Sequence, residues 1–350
     1  MHFVPPRCPN TDCEQHRKPT PGFFRRRGFY YPACRREGVP RFRCLSCGRG
    51  FSRQTFRHDY GDRRPADNVP LFMLLASGVG LRQCGRFLDM DPRAVQQKKS
   101  KMARMLALLH SNLCPTLARH DGFVLDEEET YEAASIRPLT MPVLIEKQTW
   151  FVVATAVGSI RRLAAVGSAR RERQDKDEQR RGPRPDQSSE CVRKVLEELA
   201  RRVPTGNILL RTDQKKTYGP IASGVFPGRL VHEQTSSRLL RNANNPLFPI
   251  NVTLAMTRDN CGRLRRRSWL VTKKAERLQN HLAIFIAYRN YVRRRFNRDQ
   301  KRQTPAVLLG LVPRNLDRQE VLAWRQDWGD HSIHPMSSNG AHTVREAVPA

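Results

Sequence analysis

Two apolar runs in this chain end in an aspartate: Phe123, Val124 and Leu125 lead into Asp126, and Ile208, Leu209 and Leu210 lead through Arg211 and Thr212 into Asp213. Such runs read as buried central strands, whose ends open into crevices where ligands and metals bind. Carboxylates on adjacent strands can hold a pair of divalent ions, Mg²⁺ or Mn²⁺, about 3.5 to 4 Å apart, which activates a nucleophile and stabilises a leaving oxygen in phosphodiester chemistry. Alternation along the first strand sends Asp126 and Glu128 to one face and Glu127 to the other, so Asp126 is the first choice of ligand and Glu128 the second. A strand-end aspartate taken singly is more often a turn former; the pair, set in basic surroundings, points to metal. For a third ligand, Asn251, Asp259, Glu233 and Glu276 are available. His232, which follows the short apolar strand at Leu230 and Val231, is a candidate nitrogen ligand or proton carrier.

A second constellation is made of sulfur. Cys8 and Cys13 stand in CPNTDC, and Cys44 and Cys47 in CLSC about thirty residues later. Two close pairs can supply four thiolates to one tetrahedral Zn²⁺, with the interval forming a short ribbon. A domain of residues 1–60 needs such a staple because its own core is small. Cys34 is left open as a replacement for Cys13, whereas Cys84, Cys114, Cys191 and Cys261 lack partners at ligand spacing and read as buried thiols. Arginines and aromatics interleave along the ribbon, from Arg25 to Phe56, and suit a phosphate backbone; each aromatic taken singly reads equally well as part of a miniature core.

The elements that must position these residues follow from periodicity. Residues 81–88 and 93–102 read as helix, turn, helix, with Asp91 as N-cap and Pro92 at the first helical position. The second helix presents Arg93, Gln96, Gln97, Lys98 and Lys101 as candidate contacts to bases and phosphates, the alternative being a plain helical hairpin. Three strands are predicted at residues 123–130, 143–147 and 150–157, with Pro138 and Pro142 in the turn between the first two. The charged stretch 168–189 reads as a mobile loop, 192–203 as an amphipathic helix, 207–213 as a strand, and residues near 230 as another. Strands followed by helices point to an α/β domain. From 251 to 296 the chain reads as two helical pieces, the first carrying a basic stripe of Arg258, Arg263, Arg265, Arg266 and Arg267 that continues through Trp269, Lys273 and Lys274. Such a stripe suits DNA phosphates.

Composition narrows the partner. Lys and Arg total 63 against 33 Asp and Glu, a formal charge of +30, so a polyanion is expected and nucleic acid leads. No run approaches the roughly eighteen apolar residues that span a bilayer, and the start of the chain lacks a signal-peptide stretch, so an intracellular protein with no membrane partner is expected. Nine cysteines, an odd number, argue for metal rather than a disulfide framework.

In their order along the chain these parts resemble a bacterial insertion-sequence transposase of the DDE class. The likeness is carried by CLSCGRGFSRQTF, LRQCGRFLDMDPRAVQQ, DEEETYE, TDQKKTY, RLRRRSW with its following lysine pair, AYRNYVR and TPAVLLGL, and covers residues 8–311. The resemblance implies a zinc-ribbon DNA-binding domain (1–60), a helix-turn-helix domain (61–120), an RNase H-like mixed-sheet catalytic domain of α/β class (121–311) and a C-terminal tail (312–350). It carries Asp126 and Asp213 over as the first two metal-binding acids. Counting back from RLRRRSW puts the third near Asn251, an amide, with Asp259 two turns along the helix as its replacement. It further implies double-stranded DNA at element ends and target as partner, strand cleavage and strand transfer without a covalent protein intermediate, self-association, and a cytoplasmic, nucleoid-associated setting. Two rivals stand beside this expectation: a non-catalytic DNA-binding regulator or decayed transposase, and an RNase H-like nuclease that does not integrate.

Overall fold

The structure is a computed structural model that describes residues 3–57, 59–236, 238–240, 242–265 and 269–324. Arg266, Arg267 and the part of the expected tail from residue 325 lie outside the described residues.

The N-terminal ribbon has one helical turn, α1 (Glu14–Arg17), and an antiparallel sheet of β1 (Phe24–Tyr30), β2 (Val39–Cys44) and β3 (Gly50–Ser52) in the order β1-β2-β3. Its core is the small cluster of Phe23, Phe42, Phe51 and Phe56 beside Cys8, Cys13 and Cys44. Those phenylalanines are therefore core residues, whereas Phe29 is exposed.

Three helices follow: α2 (Asn68–Ala76), α3 (Leu81–Phe87) and α4 (Pro92–Leu113). Asp91 caps α4 as expected, its carboxylate accepting the Arg93 N–H at 2.7 Å, and Pro92 opens the helix where no N–H is required. At 22 residues α4 is far longer than a recognition helix needs. Its inner face, Met102, Leu106, Leu109 and Leu113, packs in one continuous core with Phe123 and Leu125 of the following sheet. His110 bonds Val153 O at 3.0 Å and the Tyr291 hydroxyl at 3.1 Å from the same face. The helical segment thus shares its core with the α/β unit.

That unit contains β4 (Phe123–Tyr131), β5 (Pro138–Glu146), β6 (Val152–Thr155), β7 (Gly158–Ser159), α5 (Ala169–Arg181), α6 (Ser188–Arg202), β8 (Ile208–Asp213), α7 (Tyr218–Val225), β9 (Leu230–Thr235), α8 (Phe248–Asn260) and α9 (Ala275–Ala287), which runs on into a π-helical turn at Tyr288–Val292. The short helices α10 (Pro305–Leu308) and α11 (Arg318–Ala323) end the described chain. The strands form a six-stranded mixed sheet, order β6-β5-β4-β8-β9, with β7 also on β5. Pairing is antiparallel among β4 to β7 and parallel from β4 through β8 to β9. One sheet face packs Phe123, Leu125 and Leu144 with α4, α6 and α7; the other packs Val124, Met141, Val143 and Ile145 with α8 and α9. The chain is mixed α/β, as expected.

Three sequence expectations are corrected. The charged stretch 168–189 is mostly helix: Ser168 caps α5, ion pairs Arg171–Asp175 and Asp177–Arg181 at i,i+4 support it, and Gly182 ends it at φ 78°. Gln174, the one buried residue of α5, is bonded to Arg162 O and Ala164 N and substitutes for the missing apolar face. Pro138 and Pro142 are not in a turn but inside β5. Pro138 starts the strand and Pro142 faces the gap where the outer partner changes from β6 to β7, places where a missing ladder donor is tolerated. Finally, the first part of the expected tail is core, since Val312, Leu316, Val321, Leu322 and Trp324 are buried.

Candidate functional site

The parallel register of β4 on β8, Phe123 with Leu210 and Val124 with Arg211, carried two residues further brings Asp126 level with Asp213 at the C-terminal ends of neighbouring central strands. Both aspartates then point to the face of Val124, the α8 side. Burial pushes Asp126 up to about 6; a hydrogen bond from the Glu127 N–H, 2.7 Å long, counters this, while Asp213, Glu127 and Glu128 add repulsion. Asp213 accepts the Lys215 N–H at 3.0 Å, which turns the chain out of β8.

The neighbouring acids are tied to cations and these two are not. Glu128, on the same face as Asp126, is buried and ion-paired with Arg258 of α8. Glu129 pairs with Arg162 at 2.7 Å. Glu127 faces the other side, as alternation requires, and there accepts hydrogen bonds from Thr140 Oγ1 at 2.6 Å and the Tyr218 hydroxyl at 2.8 Å and pairs with Lys215. It thereby fastens the segment leaving Asp213 to the strand carrying Asp126. Sequence reasoning gave Glu127 no role; the lysine two residues after Asp213 and the tyrosine three beyond it were the available signal. Among the described residues neither Asp126 nor Asp213 has an ion-pair partner, so this pair is the local concentration of uncompensated negative charge.

Among the remaining acid-site candidates, His232, Glu233 and Asp259 are turned away from the pair or engaged elsewhere. His232 pairs in register with Leu210, so it lies on the opposite, α7 face, where its Nε2 meets Thr212 Oγ1 at 2.9 Å and burial lowers its pKa. Glu233 shares the aspartates' face but pairs with Arg211. Asp259 is exposed at the far end of α8, where its carbonyl abuts Gly78 in the α2–α3 turn. Asn251 lies partly buried near the start of α8, two turns before Arg258. Among the described residues, the only His, Cys, Asp or Glu atoms gathered in threes or more within 4.8 Å of one another are thiols. Asp126 and Asp213 thus offer a pair of carboxylates, a donor set that could hold a hard divalent ion keeping several waters.

Those thiols are Cys8, Cys13, Cys44 and Cys47, the four expected. Cys8 and Cys47 approach to 3.6 Å and Cys13 and Cys44 to 3.9 Å. Tetrahedral zinc with bonds of roughly 2.3 Å holds its sulfurs about 3.8 Å apart, so the four fit one ion. Gly48, at φ +72°, lets the second knuckle close with its N–H on Cys44 O. Cys34 is outside the cluster, its thiol near Asp62 O. Burial pushes Cys8 up to about 12, and the Arg49 backbone N–H brings Cys47 down to about 7.

The candidate DNA contacts divide. Arg93 and Gln97 are exposed on α4, and Arg265 is exposed after α8. Gln96 is half-buried and bonded to Ser100. Lys98 is not available: its ammonium is buried and donates to Asp62 and Arg64 O at 2.8 Å and to Asn68 at 2.9 Å, joining α4 to the segment after the ribbon. Arg263 is also buried, and desolvation pushes it down to about 10, so it does not belong to an exposed stripe. Compared with known proteins, the chain matches no family model and no curated protein.

Proposed function

We propose that the chain is a DNA transposase whose sheet is RNase H-like and whose Asp126 and Asp213 hold Mg²⁺ or Mn²⁺ against a phosphodiester. The observation that carries the reading is the uncompensated pair itself: two carboxylates at the ends of adjacent central strands in a protein of charge +30, while every acid around them is tied to a cation. Keeping Asp126 ionised beside Asp213 in a buried place is unfavourable, and a bound cation offsets that cost. The chemistry a divalent ion supplies there is activation of the attacking oxygen and stabilisation of the leaving one. Asp126 and Asp213 bind; Glu127, through Lys215 and Tyr218, keeps their separation fixed. Zinc in the thiol cluster holds the ribbon, and double-stranded DNA, self-association and a nucleoid-associated cytoplasmic setting belong to the same proposal.

The test is Mg²⁺-dependent cleavage and joining of a duplex carrying the genomic sequence that flanks the gene. Asp126→Ala and Asp213→Ala are expected to abolish both steps; normal activity in both variants overturns the site. Cleavage without joining supports an RNase H-like nuclease instead. The second reading, a decayed transposase that only binds DNA, is favoured by one observation: among the described residues no third acid gathers with the pair.

A further inference from the structure

The open face of the ribbon sheet carries a groove that neither the metal cluster nor the helices use. In register, Arg25 lies beside Arg43 and Gly50, and Arg41 beside Ser52, on the side opposite Phe42 and Phe51 of the small core. A bulge at Gly28, φ +73°, interrupts the pairing after Arg26, and Arg27 joins the same groove. The groove has a volume of about 540 Å³, walled by Arg27, Tyr30, Arg41, Arg43 and Tyr60, and the strand segments of Phe42 and Gly50 to Ser52 also line it. Gly50 leaves the floor open, since a Cβ there would meet nothing within 4 Å.

Its charge is unbalanced. No acid lines it. The nearest acids in sequence to Tyr60 are Asp59 and Asp62, and both are buried against cations, Asp59 on Arg35 and Arg57 and Asp62 on Lys98. Arg27 and Arg41 are exposed and make no hydrogen bond or ion pair with any described residue, and only the Nε–H of Arg43 is engaged, on Gly48 O. The scaffold beneath is rigid: Tyr60 O holds the Lys101 ammonium of α4, and Lys98 of the same helix holds Asp62. The second helix of the helix-turn-helix, in contrast, has spent Lys98 and Lys99 on internal contacts.

We propose that this groove is a phosphodiester-binding site for the backbone of a DNA strand, with Arg27 and Arg41 each taking a phosphate, Arg43 a third, and the half-exposed Tyr60 ring packing against the sugar. It makes the ribbon, rather than α4, the main electrostatic anchor. Two flat guanidinium groups converging on one groove suit bidentate recognition of phosphate oxygens. The proposal rests on the reading of the chain as a DNA-binding protein and adds the place of contact.

The experiment is fluorescence anisotropy of the full chain with a labelled random-sequence duplex of about 30 base pairs across a KCl series without Mg²⁺. The double variant Arg27→Gln/Arg41→Gln, both positions exposed, is compared with Arg93→Gln/Gln97→Ala on α4, and retained zinc content and melting temperature certify each fold. The slope of log affinity against log salt is expected to fall by about 2 in the ribbon variant, with affinity at least about tenfold weaker, and by about 1 or less in the helix variant. Wild-type binding that the ribbon variant reproduces in slope and affinity overturns the proposal alone. A wild type that does not bind the duplex, or binds phosphatidylglycerol vesicles more tightly, overturns the DNA reading with it. Loss of cleavage in Asp126→Ala with duplex binding intact concerns only the acid pair.

Discussion

Replacing Asp126 by asparagine is expected to stabilise the protein while removing its activity. In the fold, burial first and Asp213 among other neighbours next raise the Asp126 carboxyl from 3.8 to about 6. That is about two pH units at about 1.4 kcal/mol each, or roughly 3 kcal/mol against the ionised form, an upper figure because the half-buried carboxyl keeps some contact with solvent. Between pH 3.8 and about 6 the folded chain retains a proton that the unfolded chain has released, so stability falls as pH rises through this window and levels off above it. Asparagine keeps an oxygen to accept the Glu127 N–H and has no charge to bury. Urea unfolding at pH 7.5 should therefore give Asp126→Asn an advantage of about 1 to 3 kcal/mol, shrinking towards pH 4.5. Adding Mg²⁺ at a hundred times its dissociation constant should raise the wild type by about 2.7 kcal/mol and the variant by much less. A variant less stable than wild type at pH 7.5, or an equal gain from Mg²⁺ in both, refutes the reasoning.

Lys98→Met is expected to cost roughly 3 to 5 kcal/mol, because it leaves Asp62 buried without its cation, and the loss should appear in the melting temperature. A variant that melts like wild type yet binds DNA more weakly would return Lys98 to the recognition surface. Chelation of zinc is expected to unfold the ribbon, whose core is four phenylalanines, and leave the sheet and its helices intact. Limited proteolysis should then cut before Asn68 and spare the rest; cleavage throughout the chain would contradict two separate cores.

The sequence was legible where a local pattern carries the information. The runs before Asp126 and Asp213 are continuous because central strands are buried on both faces, and Asp91 and Pro92 mark the start of α4 by local hydrogen bonding alone. The two cysteine pairs announce their site because each knuckle closes within a few residues. What stayed hidden depends on partners distant in sequence. The face of His232 is set by the pairing of β9 with β8, and the burial of Lys98 by Asp62, 36 residues away. Helix α5 has no apolar stripe, since ion pairs and the single buried Gln174 take its place, and a polar stretch of that kind reads as loop. Pro142 is permitted in β5 only because its outer neighbour changes there, which no window around it records.

Along β4, consecutive residues are assigned to opposite tasks: Asp126 faces the α8 side without a cation, and Glu127 faces the α7 side as a fastening. The nine paired positions between β4 and β5 hold that assignment in phase. One residue lost between Phe123 and Leu125 would bring Glu127 beside Asp213 and set Glu128 against Lys215 and Tyr218, whereas one inserted would bring Leu125 beside Asp213 and turn Asp126 towards Lys215 and Tyr218. The strand works as a vernier: the number of residues before Asp126 decides which side chain meets Asp213 and which meets Lys215 and Tyr218.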